Sequence, residues 1–158
     1  MLNQAEITTT LKSIPWFLEL STESIHRLSA IADIVSFEAD EVIFIEGEKN
    51  LSLYVVLEGK VCLESYVPGY GPMPIFTAES LEVIGWSSMT PVVRQNTGTA
   101  RILEPTKMIA FRADDLMELC ERDCDLGFVI MRRLANVVAS RLLTHRLQLF
   151  ELLSKQNK

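Results

Sequence analysis

The fold is decided by the stretch "NLSLYVVLEGKVCLESYVPGYGP", residues 50–72. Two short runs rich in Val, Leu and Tyr are separated by "EGK" and closed by "PGYGP". β-Branched and aromatic residues favour strands, whereas clusters with Gly and Pro favour turns. The same alternation of short runs and turns extends from about residue 34 to residue 113. Short strands with such regular turns predict an antiparallel sandwich, roll or barrel rather than βαβ units.

Helical patterns precede this β-region. In "STESIHRLSAIA", residues 21–32, Ser21 is a candidate N-cap for a short helix. The preceding "AEITTTLKSIPWFLEL" predicts another helix, broken at or before Pro15. The N-terminal helices are therefore expected within residues 1–33. The apolar residues at helical spacing after Ser21 are Ile25, Leu28, Ile31 and Ala32.

Two further helices are predicted after the β-region, a short one over residues 114–123 and a long one over residues 125–153. Asp114 is the predicted N-cap of the short helix. The long segment contains no proline and carries apolar residues at alternating spacings of four and three, which is a heptad stripe. The stripe consists of Met131, Ala135, Val138, Leu142, His145, Leu149 and Leu152.

The length of this last helix predicts a partner. A helix of roughly thirty residues spans about 40–45 Å, whereas a domain of about 120 residues has a radius of gyration near 14 Å. The first half can pack on the β-region, but the apolar residues of the second half need another surface. We therefore predict a homodimer through residues 126–153, with a parallel helix from a second copy.

The composition argues against several classes of function. The formal charge of −6 argues against nucleic acid binding, which needs clustered Lys and Arg. No apolar run approaches the ~18 residues of a membrane span, and the N-terminus lacks a signal peptide, so we expect no membrane association and a cytoplasmic location. The spacing of Cys62, Cys120 and Cys124 favours structural thiols. With only His26 and His145 as histidines, neither a metal centre nor an enzyme is expected.

The order of helices and strands resembles the cyclic nucleotide-binding domain of the catabolite-activator (Crp/Fnr) family. The residues that carry the resemblance include "PWFLELSTESIHRLSAIADIVSFEADEVIFIEGE" (15–48), "LYVVLEGKVCLE" (53–64) and "MIAFRADDLMELCERD" (108–123). The resemblance implies one α+β domain over residues 1–158, with an antiparallel, jelly-roll-like β-roll over 34–113. It also implies that Gly59 makes the turn between two strands. Transcription factors of the family carry a helix-turn-helix after the long helix, whereas this chain ends at "SKQNK", so DNA binding is not expected.

In that family, the stretch "EVIGWSSMTPVVRQNTGTARI", residues 82–102, corresponds to the phosphate-binding cassette. The usual motif is Gly-Glu-Leu followed by Arg-Ser-Ala or Arg-Thr-Ala, in which the Glu holds the ribose 2′-hydroxyl and the Arg pairs with the cyclic phosphate. Trp86 stands at the glutamate position and Gly98 at the arginine position. A charge-assisted hydrogen bond contributes about 1.5–3 kcal/mol. Its loss weakens affinity about ten- to a hundredfold.

Several residues are candidates for replacing these contacts. Gly85 with the N–H groups of Ser87 and Ser88 is a candidate anion nest, although Ser87 is equally a helix N-cap. Arg94 is a candidate replacement cation, although loop arginines are commonly solvated. Trp86 either stacks on a base or fills the core. The resemblance also adds Arg141, because the long helix lies over the ligand in the family. The complete candidate ligand-binding set is Gly85, Trp86, Ser87, Ser88, Arg94, Thr97, Gly98, Thr99 and Arg141.

Two functions are consistent with these residues. The first is a regulatory domain that senses a small ligand, by resemblance a cyclic nucleotide such as cAMP, and signals through its dimerising helix to a protein partner. The second is a degenerate β-roll that no longer binds nucleotide and acts as a dimeric interaction scaffold. The missing Glu and Arg favour the second, and the retained glycines and hydroxyls favour the first. No other cofactor is expected.

Overall fold

The computed structural model describes residues 3–158. It confirms the α+β prediction: helices flank an antiparallel β-roll, and a long helix ends the chain. In chain order, the elements are α1 Gln4–Ser13, a 3₁₀ turn Pro15–Phe17, α2 Thr22–Ser29, β1 Ala32–Phe37, β2 Val42–Phe44, β3 Ser52–Val67, β4 Gly71–Ala78, β5 Val83–Ile84, a second 3₁₀ turn Trp86–Met89, β6 Thr99–Arg112, α3 Ala113–Arg122 and α4 Cys124–Gln156.

The six strands form one antiparallel sheet in which β3 and β6 are the central pair. The strand order is β1-β6-β3-β4, with β2 added on β6 and β5 added on β3. β3 pairs with β6 from Ser52–Arg112 to Glu64–Thr99, so the two long strands stay together as the sheet bends. One core cluster lies between the roll and the helices, and a second lies inside the roll. This long pairing therefore fixes the positions of the loops and helices that adjoin the ends of β3 and β6.

Gly59 does not make a turn between two strands, which corrects the expectation from the family resemblance. β3 runs continuously from Ser52 to Val67, and its register with β6 shifts on both sides of Gly59. Gly59 has a φ of +96°, and a Cβ there would lie 2.6 Å from the carbonyl oxygen of Pro105. It is therefore the site of a bulge where the crossing backbone comes too close for any side chain.

The helix starts agree only partly with the sequence predictions. Ser21 caps α2 as predicted, because its side chain accepts a hydrogen bond from the Ser24 N–H. Asp114 does not cap α3: the N-cap is Arg112, and Asp114 lies in the first turn. The next helix, α4, does have a side-chain cap. Its N-cap is Asp123, whose side chain accepts a hydrogen bond from the Leu126 N–H at 3.1 Å. A carboxylate there also opposes the positive end of the helix dipole.

The long helix α4 has 33 residues, which corresponds to a length of about 50 Å. Leu126, Ile130 and Leu134 of its first half are buried in the core cluster between the roll and the helices. Its second half exposes the predicted stripe, with Leu142 69% and Leu149 53% exposed. Homodimer formation through this stripe stays a prediction. Across the described residues, no helix is long and apolar enough to cross a membrane.

Candidate functional site

The cassette segment, residues 85–99, begins with a left-handed glycine. Gly85 has a φ of +76° and is the N-cap of the second 3₁₀ turn, so Ser87 is not the N-cap and lies inside the turn. A Cβ at residue 85 would lie 2.5 Å from the carbonyl oxygen of Ser52. Glycine is therefore required both for the backbone conformation and for the close contact with β3.

A buried asparagine fixes this turn from the other side. Asn50 is 6% exposed, and its Nδ2 donates to the Gly85 carbonyl oxygen at 2.9 Å and to the Ser87 Oγ at 3.0 Å. Its Oδ1 accepts from the Ser52 N–H at 3.3 Å. The Ser87 hydroxyl, expected to face an anion, thus has a protein partner already.

The space beside this turn is too small for a nucleotide. We call it the cassette hollow, and its volume is about 10 Å³. A single water molecule needs about 10–15 Å³ by a comparable measure. The residues around the hollow are Phe44, Asn50, Leu63, Gly85, Trp86, Ser87, Asn96, Thr97 and Gly98.

The structure brings five of the predicted ligand residues together at the hollow, namely Gly85, Trp86, Ser87, Thr97 and Gly98. The other four lie elsewhere. Ser88 and Arg94 line a separate surface cavity beside Lys49, and Arg94 is not among the residues that line the hollow. Thr99 Oγ1 accepts from the Glu46 N–H at 3.0 Å. Arg141 lies away from the hollow and contacts Phe76 and Val83, as described below.

The residues at the two positions that differ from the family motif, Trp86 and Gly98, are both closely packed against the rest of the protein. Trp86 is partly buried against the core cluster between roll and helices, so part of its ring fills the core. At Gly98, a Cβ would lie 3.1 Å from the carbonyl oxygen of Glu64 on β3. A side chain at this position would require the backbone at Gly98 or Glu64 to shift by a few tenths of an ångström.

Asparagines 50 and 96 are the site residues that the sequence reasoning missed. Asn96 is 3% exposed, its Nδ2 donates to the Ile45 carbonyl oxygen at 2.9 Å, and its Oδ1 has no partner among the described residues. Both asparagines lie in sequences whose composition is typical of turns, "EGEKN" for Asn50 and "QNTG" for Asn96. Turn composition explains an asparagine there, but it does not reveal that the side chain points inward.

Arg141 ties α4 to the roll. It is 9% exposed, its guanidinium lies 3.3 Å from the centroid of the Phe76 ring, and it donates to the Val83 carbonyl oxygen at 2.9 Å. Burial lowers the pKa of Arg141 to about 10, and the charge of Glu82 opposes that shift. The arginine stays cationic at neutral pH, and its contact with Val83 lies two residues before Gly85.

The histidines do not converge on the cassette segment. His26 belongs to α2, and the Nδ1 of His145 lies 3.1 Å from the Gln148 Oε1 on α4. Within residues 3–158, no cluster of three or more His, Cys, Asp or Glu has the arrangement of a metal site.

Comparison with known proteins adds a family. Residues 34–123 match the model described as the cyclic nucleotide-binding domain, which is more than half of the 158 residues. A search of curated proteins gave no match.

Solved structures share the fold over most of the chain. A cyclic nucleotide-binding domain from Methylobacillus flagellatus is 22% identical with a TM-score of 0.76, covering 96% of this chain and 83% of that one. The N-terminal domain of a transcriptional regulator from Streptomyces coelicolor is 27% identical with a TM-score of 0.66, covering 85% and 93%. The catabolite activator protein of Thermus thermophilus is 25% identical with a TM-score of 0.71, covering 89% and 63%.

Proposed function

Because this chain belongs to the cyclic nucleotide-binding domain family, we propose that it is a regulatory module that senses a small ligand and signals through α4. The observation that carries the proposal is the contact of Arg141 with Val83. Val83 and Ile84 form β5, which leads directly into the Gly85 turn. A ligand that moves this turn would therefore move the carbonyl group to which α4 is bonded.

The output side of the proposal is a pair of α4 helices. The exposed leucines of the second half include Leu142, Leu149 and Leu152, with 69%, 53% and 60% exposure. They repeat at spacings of seven and three, as a coiled-coil seam requires. A parallel helix from a second copy would bury them. A shift of α4 in one copy would then move the paired helix of the other copy, and it would change the surface that a protein partner binds.

A cyclic nucleotide would not be held here by the two charged contacts of the family motif, because Trp86 and Gly98 stand at those positions. The cassette hollow of about 10 Å³ would have to widen before a nucleotide could enter, and the bonds from Asn50 to Gly85 and Ser87 oppose a shift of the turn. No cation lines the hollow in the described part of the chain. A cyclic nucleotide would thus lack a phosphate contact worth about 1.5–3 kcal/mol. We include a cytoplasmic location in the proposal.

A second candidate function is the scaffold, a dimeric interaction module without a ligand. The closed hollow favours it, since Asn50 satisfies the same turn that a ligand would have to bind. The two candidates differ in one respect that can be measured. A sensor responds to an added ligand, whereas a scaffold keeps the same stability and fluorescence.

The test is a titration with cyclic AMP and cyclic GMP. The chain has two tryptophans, and Trp86 lines the hollow, so the Trp16→Phe variant leaves one reporter at the cassette. A nucleotide at a hundred times its Kd should stabilise the fold by about 2.7 kcal/mol and change Trp86 fluorescence. If neither nucleotide changes the melting temperature or the Trp86 fluorescence, the proposal that the ligand is a cyclic nucleotide is rejected. Arg94→Ala serves as the matched control, because this arginine does not line the hollow.

A further inference from the structure

A larger cavity lies beside α4, separate from the cassette hollow. We call it the arginine cavity, and its volume is about 280 Å³. It shares no lining residue with the hollow. Its volume exceeds that of several water molecules, each of which takes up about 30 Å³ in the liquid. The residues around it are Trp16, Phe76, Leu81, Glu82, Val83, Arg133, Asn136, Val137, Ser140 and Arg141.

Arg141 is a buried cation in this cavity that lacks a counter-ion. Among the residues from 3 to 158, it forms no ion pair with a carboxylate. The hydrogen bond to Val83 uses one of the five N–H donors of its guanidinium. A buried charge is unfavourable unless it is paired and hydrogen-bonded. The contact with the Phe76 ring compensates only part of that.

Arg133 brings a second guanidinium to the same cavity. It lies eight residues before Arg141 on α4, which places the two arginines about two turns apart on one face. Its terminal nitrogen bonds to Glu19 at 3.3 Å, but its Nε is buried without a hydrogen-bond partner in the described chain. A second donor in the cavity thus has an unmet hydrogen bond.

The charge balance of the cavity favours an anion. Two arginines face one carboxylate, that of Glu82. The Glu82 Oε2 already accepts from the Glu79 N–H at 2.7 Å. Asn136 and Ser140 add neutral hydrogen-bonding groups to the lining. Guanidinium groups match the planar fork of a carboxylate and the oxygens of a phosphate, and they bind both by charge-assisted hydrogen bonds.

We propose that the arginine cavity binds a small oxyanion, a carboxylate or phosphate group, which pairs with the Arg141 guanidinium and receives a further hydrogen bond from Arg133. The site is independent of cyclic nucleotide binding at the cassette segment. Because Arg141 also holds Val83, an anion here alters the contact between α4 and the roll from the helix side.

Trp16 makes the site observable. It lines the arginine cavity, and Trp86 does not. In the Trp86→Phe variant, Trp16 is the one tryptophan that remains. Inorganic phosphate and succinate are the probes, titrated against sodium chloride at matched ionic strength. We expect a saturable change in Trp16 fluorescence with at least one probe and none with chloride. A response to phosphate alone or to succinate alone identifies which oxyanion the site prefers.

Three charge-neutralising variants decide whether the arginines are responsible. Arg141→Gln should weaken the binding of the active probe at least about tenfold, and Arg133→Gln about three- to tenfold, as expected for lost charge-assisted bonds. Arg132→Gln is the matched control. Arg132 is the neighbour of Arg133 and also pairs with Glu19, but it does not line the cavity, so its removal should leave binding unchanged.

The proposal is overturned if neither probe gives a saturable Trp16 response beyond that of chloride. It is also overturned if both cavity variants bind as the wild type does, or if Arg132→Gln loses as much affinity as Arg141→Gln. Should Arg141→Gln fail to fold by circular dichroism, Arg133→Gln against Arg132→Gln decides. Trp86 fluorescence reports binding at the cassette segment, and Trp16 fluorescence reports binding in the arginine cavity. The two proposals can therefore be rejected independently of each other.

Discussion

Asn50 donates a hydrogen bond of 3.0 Å to the hydroxyl of Ser87. This bond joins the segment before β3 to the 3₁₀ turn where the family places its ligand contacts. Together with the bond to the Gly85 carbonyl oxygen, it explains why the hollow is nearly filled. The turn is held by the protein itself, from a residue some thirty-five positions upstream.

The first prediction concerns this asparagine. Asn50→Ala leaves the buried Gly85 carbonyl group and the Ser87 hydroxyl without their donor, so the free energy of unfolding should fall by about 2–4 kcal/mol. Urea denaturation measures it. Asn157→Ala, at the exposed end of the chain, should change stability by less than about 0.5 kcal/mol. A loss that small for Asn50→Ala would mean that the turn is held by something else.

Gly59 supplies a second prediction. In Gly59→Ala, the new Cβ meets backbone atoms of Pro105 and Thr106 at 2.6 and 2.7 Å, and we expect a loss of about 2–4 kcal/mol in unfolding free energy. The control is Gly47→Ala, because Gly47 has a similar φ of +82° but no atom within 4 Å of a Cβ. That substitution should cost only about 1–2 kcal/mol. Equal losses would indicate that Gly59 is needed for its φ angle and not for the close contact.

The exposed stripe on α4 gives a third prediction. Leu149→Lys places a charge in the proposed seam, so it should weaken self-association at least about tenfold while leaving the fold stable. Sedimentation equilibrium measures the association, and melting temperature checks the fold. Leu147→Lys is the matched control: Leu147 is 58% exposed and Leu149 53%, but Leu147 lies off the stripe. A similar effect of both substitutions would argue against a seam at these residues.

Asp123 predicts how stability changes in acid. The hydrogen bond from Ser24 lowers the pKa of Asp123, burial opposes the shift, and bonds from Leu126 and Arg27 lower it further. A carboxylate with a lowered pKa stabilises the fold above its unfolded pKa of about 3.9, and this contribution disappears as the pH falls through the folded value. Asp123→Asn should therefore lose about 1–3 kcal/mol near neutral pH.

The difference between wild type and Asp123→Asn should shrink as the pH drops below about 4. Urea denaturation at a series of pH values tests this. Asp125→Asn, in the first turn of the same helix, removes a charge near the helix terminus and should lose at most about 1 kcal/mol. A difference for Asp123→Asn that stays constant into acid would contradict the assignment.

The thiols give a fifth prediction. Burial raises the pKa of Cys120 to about 11 and also raises the pKa of Cys62, whereas Cys124 is exposed. Thiolates are the reactive form. A maleimide at about pH 7 should thus label one thiol quickly, and Cys124→Ser should abolish the fast phase. Two fast thiols in the folded protein would contradict the burial of Cys62 or Cys120.

Much of the fold can be predicted from the sequence, because the spacing of apolar residues in strands and helices is a pattern among neighbouring residues. The change from short β-runs to a proline-free heptad stripe predicts the roll and the long helix, and Ser21 predicts a helix start. At Gly59 the local sequence predicts a turn, whereas the structure has a bulge, because the reason for this glycine lies across the sheet at Pro105. Asp114 is the predicted cap of α3 because it precedes apolar residues at helical spacing, but Arg112 takes that position. Asp123, the cap of α4, is distinguished only by its tertiary contacts with Ser24 and Arg27.

The candidate site was less predictable than the fold. The sequence indicated which segment forms the turn, and five of the nine candidate residues meet there. It did not indicate that Asn50 lines the hollow and bonds to the turn, because an inward asparagine and a solvated one have the same local sequence. The partners of Arg141, namely Phe76 and Val83, belong to other strands, so only the packed structure reveals the buried cation.

The central claim is that α4 pairs with a second copy and reports what the roll binds. The most direct measurement uses the exposed Cys124 at the start of α4 as the attachment point for a spin label, with the distance between two labels measured by pulsed electron resonance. We expect a defined distance between labels on two copies, which shifts when cyclic AMP, cyclic GMP or inorganic phosphate saturates the protein. The absence of any dipolar signal at tens of micromolar protein would contradict the pairing, and a distance unchanged by all three ligands would contradict the sensing.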